Sequence, residues 1–149
     1  MIKILDKKDC CGCTACASVC PHNAITMKPD VMGFFYPIVD EALCEECRLC
    51  EKDCQFHDAY KCYDNYDKPD VIGCSHKDIN ELSQSQSGAA AWAITQSFIK
   101  QSGVVYGVGY NTVTHIVHKR AVSLEKCQEF RGFKYVQSDL RGVFRQVKD

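Results

Sequence analysis

The chain has 149 residues, of which 46% are hydrophobic and 25% charged, with a formal net charge of −1. A chain of this length can bury a core and is expected to form one or two small domains. Its charge is not basic enough for a nucleic-acid-binding protein, and no apolar run reaches the length of a transmembrane helix. Twelve cysteines are the unusual feature of the composition.

Eight of these cysteines form two copies of one spacing, C-x2-C-x2-C-x3-C, which bacterial ferredoxins use to hold 4Fe-4S clusters. One tight loop can reach three corners of such a cube, whereas the next cysteine lies one helical turn further on. In two-cluster ferredoxins this fourth cysteine ligates the other cluster. The first copy consists of Cys10, Cys13, Cys16 and Cys20, and the second of Cys44, Cys47, Cys50 and Cys54.

The spacing therefore predicts two interlocked metal sites, with Cys54 completing the first and Cys20 completing the second. Neither site is complete until both segments meet, so the two should fold as one unit. Structural zinc would favour two separated C-x2-C pairs. A disulfide framework is typical of short secreted chains, but this sequence begins without an apolar signal segment. The cysteines indicate a reducing, cytoplasmic setting.

Two short apolar stretches between the copies, at 24–27 and 34–39, predict a β-hairpin that covers one flank of the clusters. The loop of the first copy contains small residues, whereas the second contains Glu45, Glu46 and Glu51. Extra negative charge disfavours the addition of an electron. We therefore expect the cluster of the second loop to have the lower potential.

A polar connector follows at 59–86, and the remaining chain alternates helical and strand patterns. Ser87 is placed to cap an alanine-rich helix that continues to Lys100. Strands are predicted at 104–108 and 112–118, and helices at 124–130 and 140–148.

These elements predict an α+β fold. A two-cluster ferredoxin-like domain at 1–58 precedes the connector, and an α/β arrangement occupies 87–149. Residues 1–60 contain six Lys or Arg against ten Asp or Glu, whereas residues 61–149 contain twelve against nine. This division suits electron transfer followed by binding of an anionic group. Ordinary surface charge explains it equally well.

Several stretches of the sequence occur together in one family. They are Cys-Pro-His-Asn-Ala-Ile at 20–25, Gly-Phe-Phe-Tyr-Pro at 33–37, the Ser87-Gly88 helix start, Gly-Val-Val-Tyr-Gly at 103–107, and Arg-Gly-Phe-Lys-Tyr-Val-Gln-Ser at 131–138. With the two cysteine runs, this order of parts resembles the coenzyme F420 hydrogenase/dehydrogenase beta-subunit family.

The resemblance implies that electrons pass between the 4Fe-4S clusters and a flavin, FAD or FMN, which exchanges hydride with a deazaflavin coenzyme or another partner. A helix start such as Ser87-Gly88 could meet a cofactor phosphate, although simple capping explains it as well. The resemblance also implies that 87–149 is a partial α/β flavoprotein-type domain with a parallel sheet. Members of the family continue for about as long again, so a redox partner protein or a missing C-terminal region would cover the exposed sheet edge. The flavin contacts that the resemblance implies are Ser87, Gly88, Lys134, Tyr135, Gln137 and Ser138.

The predicted function is iron-sulfur electron transfer, as the relay part of a flavin- or deazaflavin-linked oxidoreductase beta subunit, with no catalytic residue assigned. Two alternatives remain open. The chain could be a non-enzymatic electron carrier whose second part docks a partner, or a truncated remnant whose clusters are structural. Bound flavin would distinguish the first interpretation, and reversible reduction would separate the other two.

Overall fold

The computed structural model describes residues 1–62, 67–140 and 142–148. The chain divides into a first unit, Met1–Tyr66 with Leu140–Asp149, and a second unit, Asp67–Asp139. The second unit is therefore inserted in the sequence between two segments of the first. Residues 63–66 of the predicted connector and residue 141 of the predicted last helix lie outside the described residues. The predicted domain limits stay a prediction.

The structure is a mixture of short helices and two small sheets. In chain order its elements are α1 (Ala15–Val19), β1 (Ile25–Pro29), β2 (Phe35–Val39), α2 (Leu49–Lys52), α3 (Ile79–Ser83), α4 (Ala90–Lys100), β3 (Val105–Tyr110), β4 (Ile116–Ala121), α5 (Leu124–Cys127) and α6 (Val143–Lys148), with 3-10 turns at Lys7–Asp9, Ser87–Ala89 and Gln128–Phe130. The α+β class predicted from the sequence agrees with this content.

The hairpin predicted between the cysteine runs is confirmed. Strands β1 and β2 pair antiparallel, with Ile25 opposite Val39 at the open end. Asp30 closes the turn because its Oδ1 accepts hydrogen bonds from the backbone N–H groups of Met32 and Phe34, at 2.9 and 3.1 Å. Because the Asp30 side chain binds the backbone of its own turn, the residues of the turn determine which residues of β1 and β2 pair.

In the second unit, α4 packs on the β3–β4 hairpin through a small core. Its most buried members are Ala89, Trp92, Ala121 and Cys127. The prediction of a parallel sheet is wrong, because β3 and β4 pair antiparallel. Only residues 111–115 join them, and a parallel connection needs a dozen residues or more. The flavoprotein-type α/β domain stays a prediction.

Two helices start later than the sequence predicts, and one helix was not predicted. Ser87 does not cap α4: the residue before this helix is Ala89, in the left-handed region at φ 59°, and its side chain provides no capping bond. The helix predicted over 124–130 is confirmed as α5 and the turn after it, whereas α6 begins three residues later than expected. The predicted connector contains α3, whose start is capped by Asp78 through a 2.8 Å bond from the Asn80 N–H.

Candidate metal centre

The cysteines of the two repeats line two cavities in the first unit. The first cavity is lined by Cys10, Cys13, Cys16 and Cys54, and also by Cys11, which lies outside the repeat spacing. The second cavity is lined by Cys20, Cys44, Cys47 and Cys50. Each cavity thus takes three sulfurs from one repeat and the last sulfur from the other. This is the crossed arrangement that the spacing predicts, while ligation itself stays a prediction.

Helices α1 and α2 explain the crossing. They start at equivalent positions of the repeat, so Cys16 and Cys50 fall on their first turns. Cys20 and Cys54 come after the helices have ended. Each short helix therefore carries the chain away from the cavity of its own loop before the fourth cysteine is reached, and that side chain lines the other cavity.

The backbone of both cysteine loops has the same unusual shape. Gly12 and Thr14 have φ of 65°, and the residues 34 positions later, Glu46 and Arg48, have φ of 51° and 62°. A β-branched residue such as Thr14 is a clear outlier in this region. Backbone strain of this kind concentrates where a ligand is held, because the loop must curl its N–H groups and side chains toward one point.

Several donors are directed at the sulfur atoms or into the cavities. The N–H groups of Gly12 and Ala24 donate to Cys10 Sγ and Cys20 Sγ, both at 3.4 Å. Thr14 is only 4% exposed, and its hydroxyl has no hydrogen-bond partner among the described residues. Thr14 lines the first cavity. A buried hydroxyl without a partner costs about 1–3 kcal/mol, so this cavity suits a group that can accept a hydrogen bond.

The β1–β2 hairpin and the N-terminal segment that contains Ile2 form walls of both cavities. The directly opposed pair Met27 and Pro37 lines the first, and the pair Ile25 and Val39, two residues along, lines the second. Residues two apart on a strand face the same side. Ile2, which is 4% exposed, lines both cavities, although nothing in the sequence singled it out. The apolar walls limit the access of water to the sulfurs.

Burial changes the acidity of the thiols in the first cavity. It raises the pKa of Cys16 to about 12, and it also raises the pKa of Cys10 and of Cys13. These groups keep their protons at neutral pH when no metal is bound. Because thiolates are the iron ligands, loading the site releases protons.

The cysteine side chains surround each cavity and do not converge on the position of a single metal ion. Among the described residues, no three His, Cys, Asp or Glu side chains are close enough to hold a single metal ion. Four thiolates on one zinc ion would lie about 3.8 Å apart, given a Zn–S bond of about 2.3 Å. All twelve cysteines are free.

Glu51 is the most buried of the acidic side chains predicted to affect the second cluster. It is 8% exposed and accepts bonds from Arg48 Nε at 2.6 Å and from the terminal amino group of Met1 at 2.9 Å. The hydrogen bond from Arg48, followed by that from the amino group, lowers the pKa of Glu51 to about 2. Its negative charge is therefore paired, and the charge difference between the two loops is smaller than the sequence suggests.

The six predicted flavin contacts do not gather at one place. Ser87 lines an open cavity of about 370 Å³ in the second unit, together with Trp92 and Arg131. Gly88 lies against the backbone of Cys74, since a Cβ there would come within 2.5 Å of the Cys74 carbonyl oxygen. The other four, which the structure also describes, lie outside the lining of this cavity: Lys134, Tyr135, Gln137 and Ser138.

Lys134 and Ser138 are engaged elsewhere. The Lys134 ammonium donates to the backbone carbonyls of Glu129 and Arg131, at 2.8 Å each, and burial lowers its pKa. It thus caps the end of a helical segment. Ser138 forms a side-chain hydrogen bond with His118, whose pKa is lowered by burial. Tyr135 is 90% exposed.

Comparison with known proteins identifies the first part of the chain. Residues 9–57 match the family model of the 4Fe-4S dicluster domain. No curated protein matches the chain, and no solved structure does. Residues 9–57 therefore form a ferredoxin-like iron-sulfur domain, which has an electron-transfer role.

Among the described segments, no helix combines the length and the apolar character needed to cross a membrane.

Proposed function

We propose that this chain binds two 4Fe-4S clusters and relays electrons through them. Cys10, Cys13, Cys16 and Cys54 hold the first cluster, and Cys44, Cys47, Cys50 and Cys20 hold the second. The observation that carries the proposal is the pair of similar cavities: each is lined by three cysteines of one repeat and the last cysteine of the other, and the first is also lined by Cys11.

The surrounding residues support this role. When bound, each cluster supplies one-electron oxidation and reduction. The Gly12 and Ala24 N–H groups stabilise negative charge on their sulfur partners, and Ile2 keeps water away from both sites. Cys47 is exposed. The second site therefore reaches the surface at this ligand, which is where we place electron exchange with a partner.

Iron and sulfide analysis after anaerobic purification tests the proposal. We expect about eight irons per chain and a reversible change of the visible spectrum with dithionite. The C54A variant should lose more than half of the iron, since the two sites complete each other. C62A, which removes an exposed cysteine outside the repeats, is the matched control and should keep the full content. One or two zinc ions per chain would refute the proposal.

A second candidate function concerns the cavity of the second unit. Ser85 Oγ and Arg131 Nε are buried there and have no hydrogen-bond partner among the described residues. The other nitrogens of Arg131 bind Glu81 and Gln84, and its guanidinium lies 3.7 Å from the centre of the Trp92 ring. A cavity of this size, with an aromatic wall and unused donors, suits an aromatic cofactor that carries hydrogen-bond acceptors.

This observation favours a flavin, FAD or FMN, and with it the role of a relay in a flavin- or deazaflavin-linked oxidoreductase. Flavin absorbance in the anaerobically purified chain is the direct test. R131Q should reduce flavin content at least tenfold, because the variant loses the unpartnered Nε donor and the guanidinium that stacks on Trp92. R120Q, which removes an exposed arginine of β4, should not change it. Reversible reduction without flavin would favour the simple electron carrier, and irreversible bleaching would favour structural clusters.

A further inference from the structure

Arg145 of α6 connects the last described segment of the chain to the turn after the first cysteine run. Its Nε donates to the Ser18 carbonyl at 3.0 Å, and its Nη2 donates to the Cys20 carbonyl at 3.2 Å and to Asn23 Oδ1 at 3.0 Å. One guanidinium thus binds before, at and after Cys20, across more than 120 positions of sequence.

The turn that Arg145 binds presents the last ligand of the second cluster. Cys20 is buried and lines the second cavity, and its Sγ accepts a 3.4 Å bond from the Ala24 N–H. Asn23 has a left-handed backbone at φ 51°. A residue other than glycine in that region needs support from its surroundings. The planar fork of an arginine can satisfy several carbonyl and amide oxygens in one fixed geometry, which a lysine cannot do.

The positive charge of Arg145 lies at the end of α1, beside a predicted ligand of the second cluster. The carbonyls at the end of a helix carry partial negative charge, so a cation at the end of α1 is favourable. The same cation lies beside a ligand of the second cluster, and positive charge favours the addition of an electron. Arg145 is exposed, so solvent and salt reduce the effect without removing it.

We propose that Arg145 is a positioning residue for the second cluster. It holds the turn that presents the Cys20 thiolate, and it makes this cluster easier to reduce than the acidic loop around Cys47 would alone. This inference rests on the proposed two-cluster function. It changes the expectation from the sequence, in which the glutamates alone decide the order of the two potentials.

A potentiometric titration followed by EPR tests the proposal on the full chain. R145Q removes the charge, R145K keeps the charge but loses the fork, and K148Q removes the same charge from the next turn of the same helix. At a fixed solution potential, we expect the oxidised-to-reduced ratio of one cluster to rise about tenfold in R145Q, equal to about 59 mV for one electron. The ratio should change less than twofold in K148Q and in R145K.

Hydrogen exchange of the reduced protein identifies which cluster is affected. The segment 20–24 should exchange faster in R145Q than in K148Q, whereas the equivalent segment 54–58 should not change. Equal titration shifts in R145Q and K148Q, or an R145Q titration identical to wild type, would overturn the proposal. If R145Q fails to keep its iron, retention in R145K supports the proposal and loss in all three variants overturns it. A wild-type chain without two reversible clusters would instead refute the function.

Discussion

Substitution of Gly107 by alanine should destabilise the second unit severely. Gly107 lies in β3, and an added Cβ would come within 2.3 Å of two ring carbons of Phe130 and 2.9 Å of the Phe130 Cβ. Carbon atoms prefer a separation of about 3.5–4.0 Å, so the ring has to move by more than about 1 Å. Phe130 packs on the core around Trp92 and Cys127, so its displacement disturbs that core.

The cost can be bracketed from the two ways in which the structure can respond. Forcing an extra methyl group into a packed core costs about 1–3 kcal/mol. Expelling the ring completely would approach the cost of deleting it, about 3–5 kcal/mol. We therefore expect a loss of about 2–4 kcal/mol in the free energy of unfolding, or roughly 10 °C or more in Tm for a unit of this size. The flavin content should fall as well, because Gly107 and Phe130 both line the second-unit cavity.

Urea unfolding followed by tryptophan fluorescence measures this effect directly, since Trp92 is the single tryptophan of the chain and lies in the second-unit core. G73A is the matched control, because a Cβ at Gly73 meets nothing within 4 Å. The double variant G107A/F130A should cost less than the sum of the two single variants. A G107A chain as stable as G73A, within about 0.5 kcal/mol, would refute the packing argument.

Three further predictions concern the cluster sites. The substitution T14V keeps the shape of the Thr14 side chain but removes its buried hydroxyl. The first cluster should then become harder to reduce in an EPR titration. An unchanged potential would show that the hydroxyl donates nothing to the cluster. Iron uptake by the apo-protein should be faster at pH 9 than at pH 7, because the raised pKa of the Cys16 thiol leaves less thiolate at the lower pH. Equal rates of iron uptake at the two pH values would contradict this. The substitution E51Q should weaken the second site by about 1–3 kcal/mol, which a chelator would reveal as faster iron release. The control E41Q, at an exposed glutamate, should release iron at the wild-type rate. Equal release rates in E51Q and E41Q would argue against the buried ion pair.

The parts of the structure that the sequence predicts are those with local signals. The cysteine spacing predicts which sulfurs share a cavity, because a loop and one helical turn determine where each side chain points. The β1–β2 hairpin follows from two apolar stretches around Asp30 and its turn. Helix α3 was missed although Asp78 and Glu81 have the spacing of a capping box, a signal that the polar composition of the connector obscured.

The parts that it could not predict depend on distant contacts or on the family resemblance. The parallel sheet came from the family pattern, and the five residues between β3 and β4 should have outweighed it. Four of the flavin contacts that the resemblance implies lie between 134 and 138. Two of these bind groups of the chain itself, since Lys134 donates to helix carbonyls and Ser138 bonds to His118, and flavin contact stays a prediction. Arg145 has no local signal, since its partners lie more than 120 positions away.

The insertion of the second unit has a consequence for biosynthesis. The ribosome must make the 73 residues from Asp67 to Asp139 before α6 can reach the turn at Cys20. At about 5–20 residues per second this takes roughly 4–15 s. Over that interval a nascent chain already has all eight thiols but not the guanidinium that holds one of them. The turn at Cys20 is therefore expected to reach its final geometry only after α6 has left the ribosome.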